Sequence, residues 1–226
     1  MAGVAYAFLR SLVGRLNLGQ LEGELKKRWL YPDIWYRKQN DIWDRRSDFI
    51  YDFWQFESVL ECISKRTETS EFDKQAFLNY ALNRWYNYWS ARAVEQIFCE
   101  QPGVVPAKNA KDRLVDFSIN GISFDLKTSV FPKAFDRDLA FAKANPAQLI
   151  NWLYTHQSTG RRFHLENRLF LIVHKSDGRH YRLKAEISWL QTLVANYVST
   201  FDSSKLISVA KTDSSKALSD IIWAVR

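Results

Sequence analysis

The dipeptide Asn120-Gly121 constrains this chain more than any other feature, because it separates two stretches in which apolar and polar residues alternate. Asn-Gly favours positive φ at both loop positions, so the pattern predicts a type I′ hairpin with a two-residue turn. A two-residue loop sets the register, and residues whose numbers sum to 241 face one another. Ile119 then opposes Ile122, Phe117 opposes Phe124 and Val115 opposes Leu126, which makes one apolar face for a core. The other face carries Ser118 opposite Ser123 and Asp116 opposite Asp125, with Lys127 two residues on. Opposed carboxylates ~4 Å apart repel by ~4 kcal/mol at an effective dielectric near ~20. A divalent cation, a shared proton or a nearby lysine relieves that repulsion, and Lys127 is within reach.

The flanking sequence predicts the elements around this hairpin. Ser70 with Asp73 reads as a capping box for a helix from near Glu71 to about Cys99, ended by Gln101-Pro102-Gly103. The basic segment Val104 to Arg113 reads as a loop or short strand. Asn145 reads as an N-cap with Pro146 at the first helical position, and Leu169 to His174 as a buried strand. A helix over Lys184 to Val198 and short strands at Leu206 to Ala210 and Ile221 to Val225 complete a mixed α/β pattern without internal repeats. The first third is crowded with aromatic residues. Phe49, Phe53, Phe56, Leu60 and Ile63 recur at helical spacing, which points to a core, although interleaved basic residues also suit a stacking surface for bases. Two regions are expected: a helical, aromatic-rich N-terminal part over 1–70 and an α/β domain over 71–226.

Charge narrows the partners. Thirty-two Lys plus Arg against 25 Asp plus Glu give a net charge of +7, which suits nucleic acid or an anionic membrane surface. No apolar run approaches the ~20 residues of a membrane span, and no basic segment precedes the apolar stretch Ala2 to Leu9, so a cytoplasmic location is expected. Cys62 and Cys99 are too few for a disulfide framework or zinc cage and read as buried, reduced thiols. His156, His164, His174 and His180 match no zinc spacing; His174 and His180 flank Asp177-Gly178 and read as exposed residues of a hairpin turn. Glycine-rich phosphate loops and the Gly-x-Ser-x-Gly elbow are absent, which leaves nucleotide-dependent and serine-hydrolase chemistry without support.

The sequence Val115-Asp116 followed by Asp125-Leu126-Lys127 resembles the PD-(D/E)xK nuclease superfamily, whose core places an acid on one strand and an acid-x-Lys motif on the next. Val115 stands where the signature has proline, and Asp125 is the rarer choice over glutamate. A second acid-x-Lys, Glu24-Leu25-Lys26, has neither a preceding strand nor a partner acid. Resemblance covers roughly residues 71–174. It implies a restriction-endonuclease-like mixed β-sheet core flanked by helices, with an α-helical N-terminal extension. It further implies Mg²⁺, replaceable by Mn²⁺, held by Asp116, Asp125, the Leu126 carbonyl and Glu95, with Lys127 at the attacking water. Glu95 is equally explained as an ion-pair partner of Arg92 or Arg84. Gln148 is a loose counterpart of a Gln-x-x-x-Tyr element in some members. Lys108, Lys111, Arg113, Lys133 and Arg137 are expected to grip phosphates.

The function expected is therefore a divalent-metal-dependent nuclease acting on DNA in preference to RNA, with a homodimer suited to double-strand cleavage. The alternative is a non-catalytic nucleic-acid-binding module that keeps the same fold. A third reading makes the aromatic N-terminal third a protein docking surface.

Overall fold

The computed structural model describes residues 15–35, 41–68, 73–107, 115–156, 166–212 and 215–226. They form two compact units, Met1–Gln96 with Lys184–Leu190, and Ile97–Leu183 with Gln191–Arg226.

The first unit is helical: α1 (Leu18–Lys27), α2 (Asp41–Arg46), α3 (Phe56–Glu68) and most of α4 (Lys74–Cys99). The Asn17 side chain caps α1 by accepting from Gln20 N–H at 3.0 Å, and Lys26 and Lys27 close its last turn, where cations suit the helix dipole. The cap of α4 is Asp73, whose carboxylate accepts from Ala76 N–H at 2.9 Å; α4 starts at Lys74, and Ser70 and Glu71 lie outside the described residues. This helix is buried along most of its length, with Phe77, Tyr80, Trp85, Trp89, Val94 and Phe98 buried beside the polar Asn79, Asn83, Arg84 and Ser90, so it forms the unit's central rod.

The stripe from Phe49 to Ile63 is not one helix. Phe49 lies in a 3₁₀ turn, Phe53 is 37% exposed, and α3 begins only at Phe56, burying Phe56, Val59 and Ile63 while Leu60 is half-buried. The reason is visible in the hydrogen bonds. Trp89 Nε1 donates to the Ile50 carbonyl and Trp85 Nε1 to the Phe53 carbonyl, each at 2.8 Å, so α4 takes acceptors that a continuous helix would use. Glu24 accepts from Phe56 N–H at 2.6 Å, satisfying a donor at the start of α3. The second acid-x-Lys thus has a structural use. Cys62 and Cys99 form no disulfide and are half-buried rather than buried.

The second unit is a six-stranded mixed sheet flanked by helices. Its strands are β1 (Val104–Pro106), β2 (Phe117–Ile119), β3 (Ile122–Val130), β4 (Arg168–His174), β5 (Ile207–Thr212) and β6 (Ser215–Val225), in the order β1-β2-β3-β4-β6-β5. β3, β4 and β6 are parallel neighbours, while the pairs at either side are antiparallel. Leu169 to Val173 are wholly buried, as expected of a central parallel strand covered on both faces. After β3 come α5 (Leu139–Ala144), capped by Asp138, and α6 (Pro146–His156). α6 sets Leu149, Ile150 and Leu153 against Phe170, Ile172 and Ile221. On the alternate face of β6, Tyr197 of α7 (Ile187–Ser199) donates to Asp220 at 2.9 Å. The last residues of α4 belong to this unit, and Phe98 stacks on Phe117 with centroids 4.6 Å apart. Among the described residues no helix is long and apolar enough to cross a membrane.

Candidate active site

The hairpin turns at the expected dipeptide, with Asn120 at φ 48° and Gly121 at φ 83°. Phe117↔Phe124, Ser118↔Ser123 and Ile119↔Ile122 are paired in the register that the turn dictates. Beyond Phe117 the ladder departs from that register, so Asp116 and Asp125 are not a cross-strand pair, nor are Val115 and Leu126. Asp116 N–H turns to the Phe124 carbonyl at 2.8 Å while its own carbonyl accepts from Ala107 N–H at 3.0 Å on the opposite side. In a regular strand both groups of one residue point the same way, so Asp116 occupies a bulge, a device that re-aims a side chain.

Its carboxylate is aimed at the next strand. In the parallel pairing of β3 with β4, Asp125 N–H donates to the Asn167 carbonyl at 2.9 Å, which turns the Leu126 peptide towards the β2 side. Asp116 Oδ2 accepts from Leu126 N–H at 2.7 Å. The bulge therefore gathers Asp116, Asp125 and the Leu126 peptide, with Lys127 on the same face as Asp125.

Asp125 is only 5% exposed. Lys127 Nζ lies 2.5 Å from its Oδ1, and Arg168 Nε lies 3.4 Å from its Oδ2. Burial holds its carboxyl above the usual carboxylate range, since the Lys127 and Arg168 cations lower it less than burial and the neighbouring Asp116 raise it. Arg168 stands directly across the parallel ladder from Asp125, and its guanidinium lies over the Tyr154 ring at 4.8 Å. Tyr154 donates to the Glu166 carbonyl at 2.7 Å, and burial pushes its hydroxyl up to about 12. Arg168 and Tyr154 belong to this site although sequence reasoning passed over both. The only signal for Arg168 was its position at the start of a buried strand, because parallel pairing between distant strands leaves no local mark.

Glu95 lies on α4, in the helical unit. Arg92 Nη1 is 2.9 Å from Glu95 Oε2, with both side chains largely buried, so Glu95 has the ion-pair partner that the helix spacing allows. Arg84 is held instead by Asp44, Ser47 and Tyr51. Lys133 and Arg137 are exposed in the loop after β3. Lys108, Lys111 and Arg113 lie outside the described residues. Gln148 is exposed. His174 and His180 are half-buried and packed on each other with ring centroids 4.6 Å apart, and His180 opens a 3₁₀ turn rather than a hairpin strand. His156 is exposed, and His164 lies outside the described residues.

Two carboxylates form an oxygen-only donor set of a kind that suits Mg²⁺ or Mn²⁺, and one or two protein carboxylates are the usual share for Mg²⁺. The feature that fits a cation is the buried Asp125 with the half-buried Asp116 repelling it. Among the described residues no group of three or more His, Cys, Asp or Glu is arranged to hold a metal ion, so water and substrate oxygens would have to complete the shell. No protein-family model, curated protein or solved structure matches the chain.

Proposed function

We propose that the chain is a divalent-metal-dependent nuclease of PD-(D/E)xK type, hydrolysing phosphodiester bonds in DNA in preference to RNA. One observation carries the reading: a strand bulge turns Asp116 onto the Leu126 peptide beside the buried Asp125, with an ammonium on the same face. Asp116, Asp125 and the Leu126 carbonyl would hold Mg²⁺ or Mn²⁺. Such an ion supplies Lewis-acid polarisation of a phosphoryl oxygen.

The chain's own groups do the rest. Asp125 must be ionised to ligate, and Lys127 and Arg168 favour that state against burial. Lys127, 43% exposed, is free to swing from Asp125 and donate to the attacking water or to the developing charge on phosphorus. Arg168 keeps its place over Tyr154 and offers a fixed positive charge behind Asp125. The +7 charge favours a polyanionic substrate, and a homodimer would place two such sites on two strands.

Calorimetric titration with Mn²⁺ tests the donor set. The parent is expected to bind and Asp125→Asn to bind at least tenfold more weakly. A non-catalytic nucleic-acid-binding module is the second reading, favoured by the fact that both Asp125 oxygens already face cations. Equal Mn²⁺ affinity in parent and variant would select it.

A further inference from the structure

The helical unit contains a cleft of about 360 Å³, open to solvent, that the proposed nuclease site does not use. Its volume falls within the ~300 to 1,000 Å³ of ligand pockets. Trp35, Tyr51, Tyr88, Asp44, Arg84 and Asn87 line it. Three aromatic rings in one small cleft favour a flat guest. Tyr51 and Tyr88 meet edge to face with centroids 4.8 Å apart, and Trp35 is fixed edge-on against Tyr80 at 5.8 Å.

The polar lining is already committed in a way that decides the guest's charge. Arg84, more than nine-tenths buried, donates to the Asp44 carbonyl, to Ser47 Oγ and to Tyr51 Oη, and its Nε lies 3.2 Å from Asp44 Oδ1. That guanidinium has little left for a phosphate. Asp44 Oδ1 also accepts from Tyr80 Oη at 2.6 Å, whereas Oδ2 accepts no bond among the described residues. Lys184, buried beneath Asn87, donates to Asn87 Oδ1 at 2.9 Å. An ammonium only donates, so it holds the oxygen end of the amide and leaves the Asn87 NH₂ for another partner. The cleft thus offers the half-buried Trp35 indole, a carboxylate acceptor and an amide donor, without a spare cation.

The geometry points to a receptor for a single unpaired nucleobase, stacked on the half-buried Trp35 indole, with its polar edge at Asp44 and Asn87 and its phosphates outside. A cationic guest is disfavoured by Arg84, which lies over the Tyr51 ring at 5.4 Å, and by the buried Lys184. The inference rests on nucleic acid being the partner, but not on cleavage.

The test is binding by fluorescence anisotropy, in chelator so that no cutting occurs, with two labelled single strands of equal length. One carries mixed bases and the other is abasic throughout, so their phosphates match. The parent is expected to prefer the base-bearing strand about tenfold, the ~1.4 kcal/mol within reach of one base-aromatic stack. Trp35→Leu should abolish that preference while leaving abasic-strand affinity unchanged, and Trp35→Phe, which fills similar space and still stacks, should keep most of it. Equal parental affinity for the two strands, or a full preference in Trp35→Leu, would overturn the proposal. A protein that discriminates bases but never cuts would refute the nuclease and leave the cleft reading intact.

Discussion

Lys184→Met should stabilise the protein at neutral pH, although it deletes a hydrogen bond. The ammonium is buried against Asn87 with no carboxylate within ion-pair distance among the described residues, and burial lowers its pKa to about 8 from an ordinary 10.5. Below pH 8 both folded and unfolded chains carry the proton, and the folded chain bears the whole unfavourable burial of charge. At ~1.36 kcal/mol per pKa unit the shift amounts to about 3 kcal/mol at pH 7. Methionine fills the stem's volume but leaves Asn87 Oδ1 without its donor, a loss of about 1 kcal/mol for a half-buried acceptor. The net gain is about 2 kcal/mol, or a rise in Tm of ~4 to 8 °C for a chain of this size.

The sign then determines the pH profile. Between about pH 8 and 10.5 the unfolded chain keeps a proton that the native one has released, so this group's contribution to stability rises with pH. By pH 10 the burial cost has fallen to about 1 kcal/mol, comparable to the lost hydrogen bond, and the advantage of the variant should vanish. Urea unfolding of both proteins at pH 7 and pH 10 measures the difference directly. A variant less stable than its parent at pH 7, or a gap that does not close at pH 10, would refute the reasoning.

Two further outcomes bear on the carboxylates. Glu95→Gln should cost about 1 kcal/mol, because Arg92 keeps an acceptor but loses its counter-charge, and the folded variant should cut at the parental rate; lost cutting at unchanged Tm would return Glu95 to the metal site. Because Asp125 titrates above its ordinary value, native protein holds its proton in a window beginning near pH ~3.9, and that contribution to stability declines as pH rises through it. Asp125→Asn should remove this decline in metal-free unfolding curves, and an unchanged profile would show that burial does not govern the group.

The hairpin was legible because its determinants are local: an Asn-Gly turn with both φ values positive sets the pairing of the six residues nearest to it. The bulge at Asp116 was not, since it depends on Ala107 reaching the Asp116 carbonyl and on β3 leaving β2 to pair with β4. That departure replaces direct opposition of the acids with a contact through the Leu126 peptide. Arg168 was hidden for a related reason, as forty-three residues separate it from Asp125 and only the parallel register aligns them. In the aromatic third, the core expectation held for Phe49, Phe56 and Ile63. The single helix did not, because the indoles of Trp85 and Trp89 engage backbone carbonyls that no periodicity reveals.

Single-turnover cleavage of supercoiled plasmid, with protein saturating over DNA, tests the nuclease most directly when parent and Lys127→Ala are compared in Mg²⁺, in Mn²⁺ and in chelator. The parent is expected to nick or linearise DNA only with the metal. Lys127→Ala should bind DNA at matched salt as the parent does and cut ~10² to 10³ times more slowly, the cost of losing a charge that acts mainly in the transition state. Parental cutting by Lys127→Ala would contradict its role in the chemical step, and no metal-dependent cutting by the parent would contradict the nuclease itself.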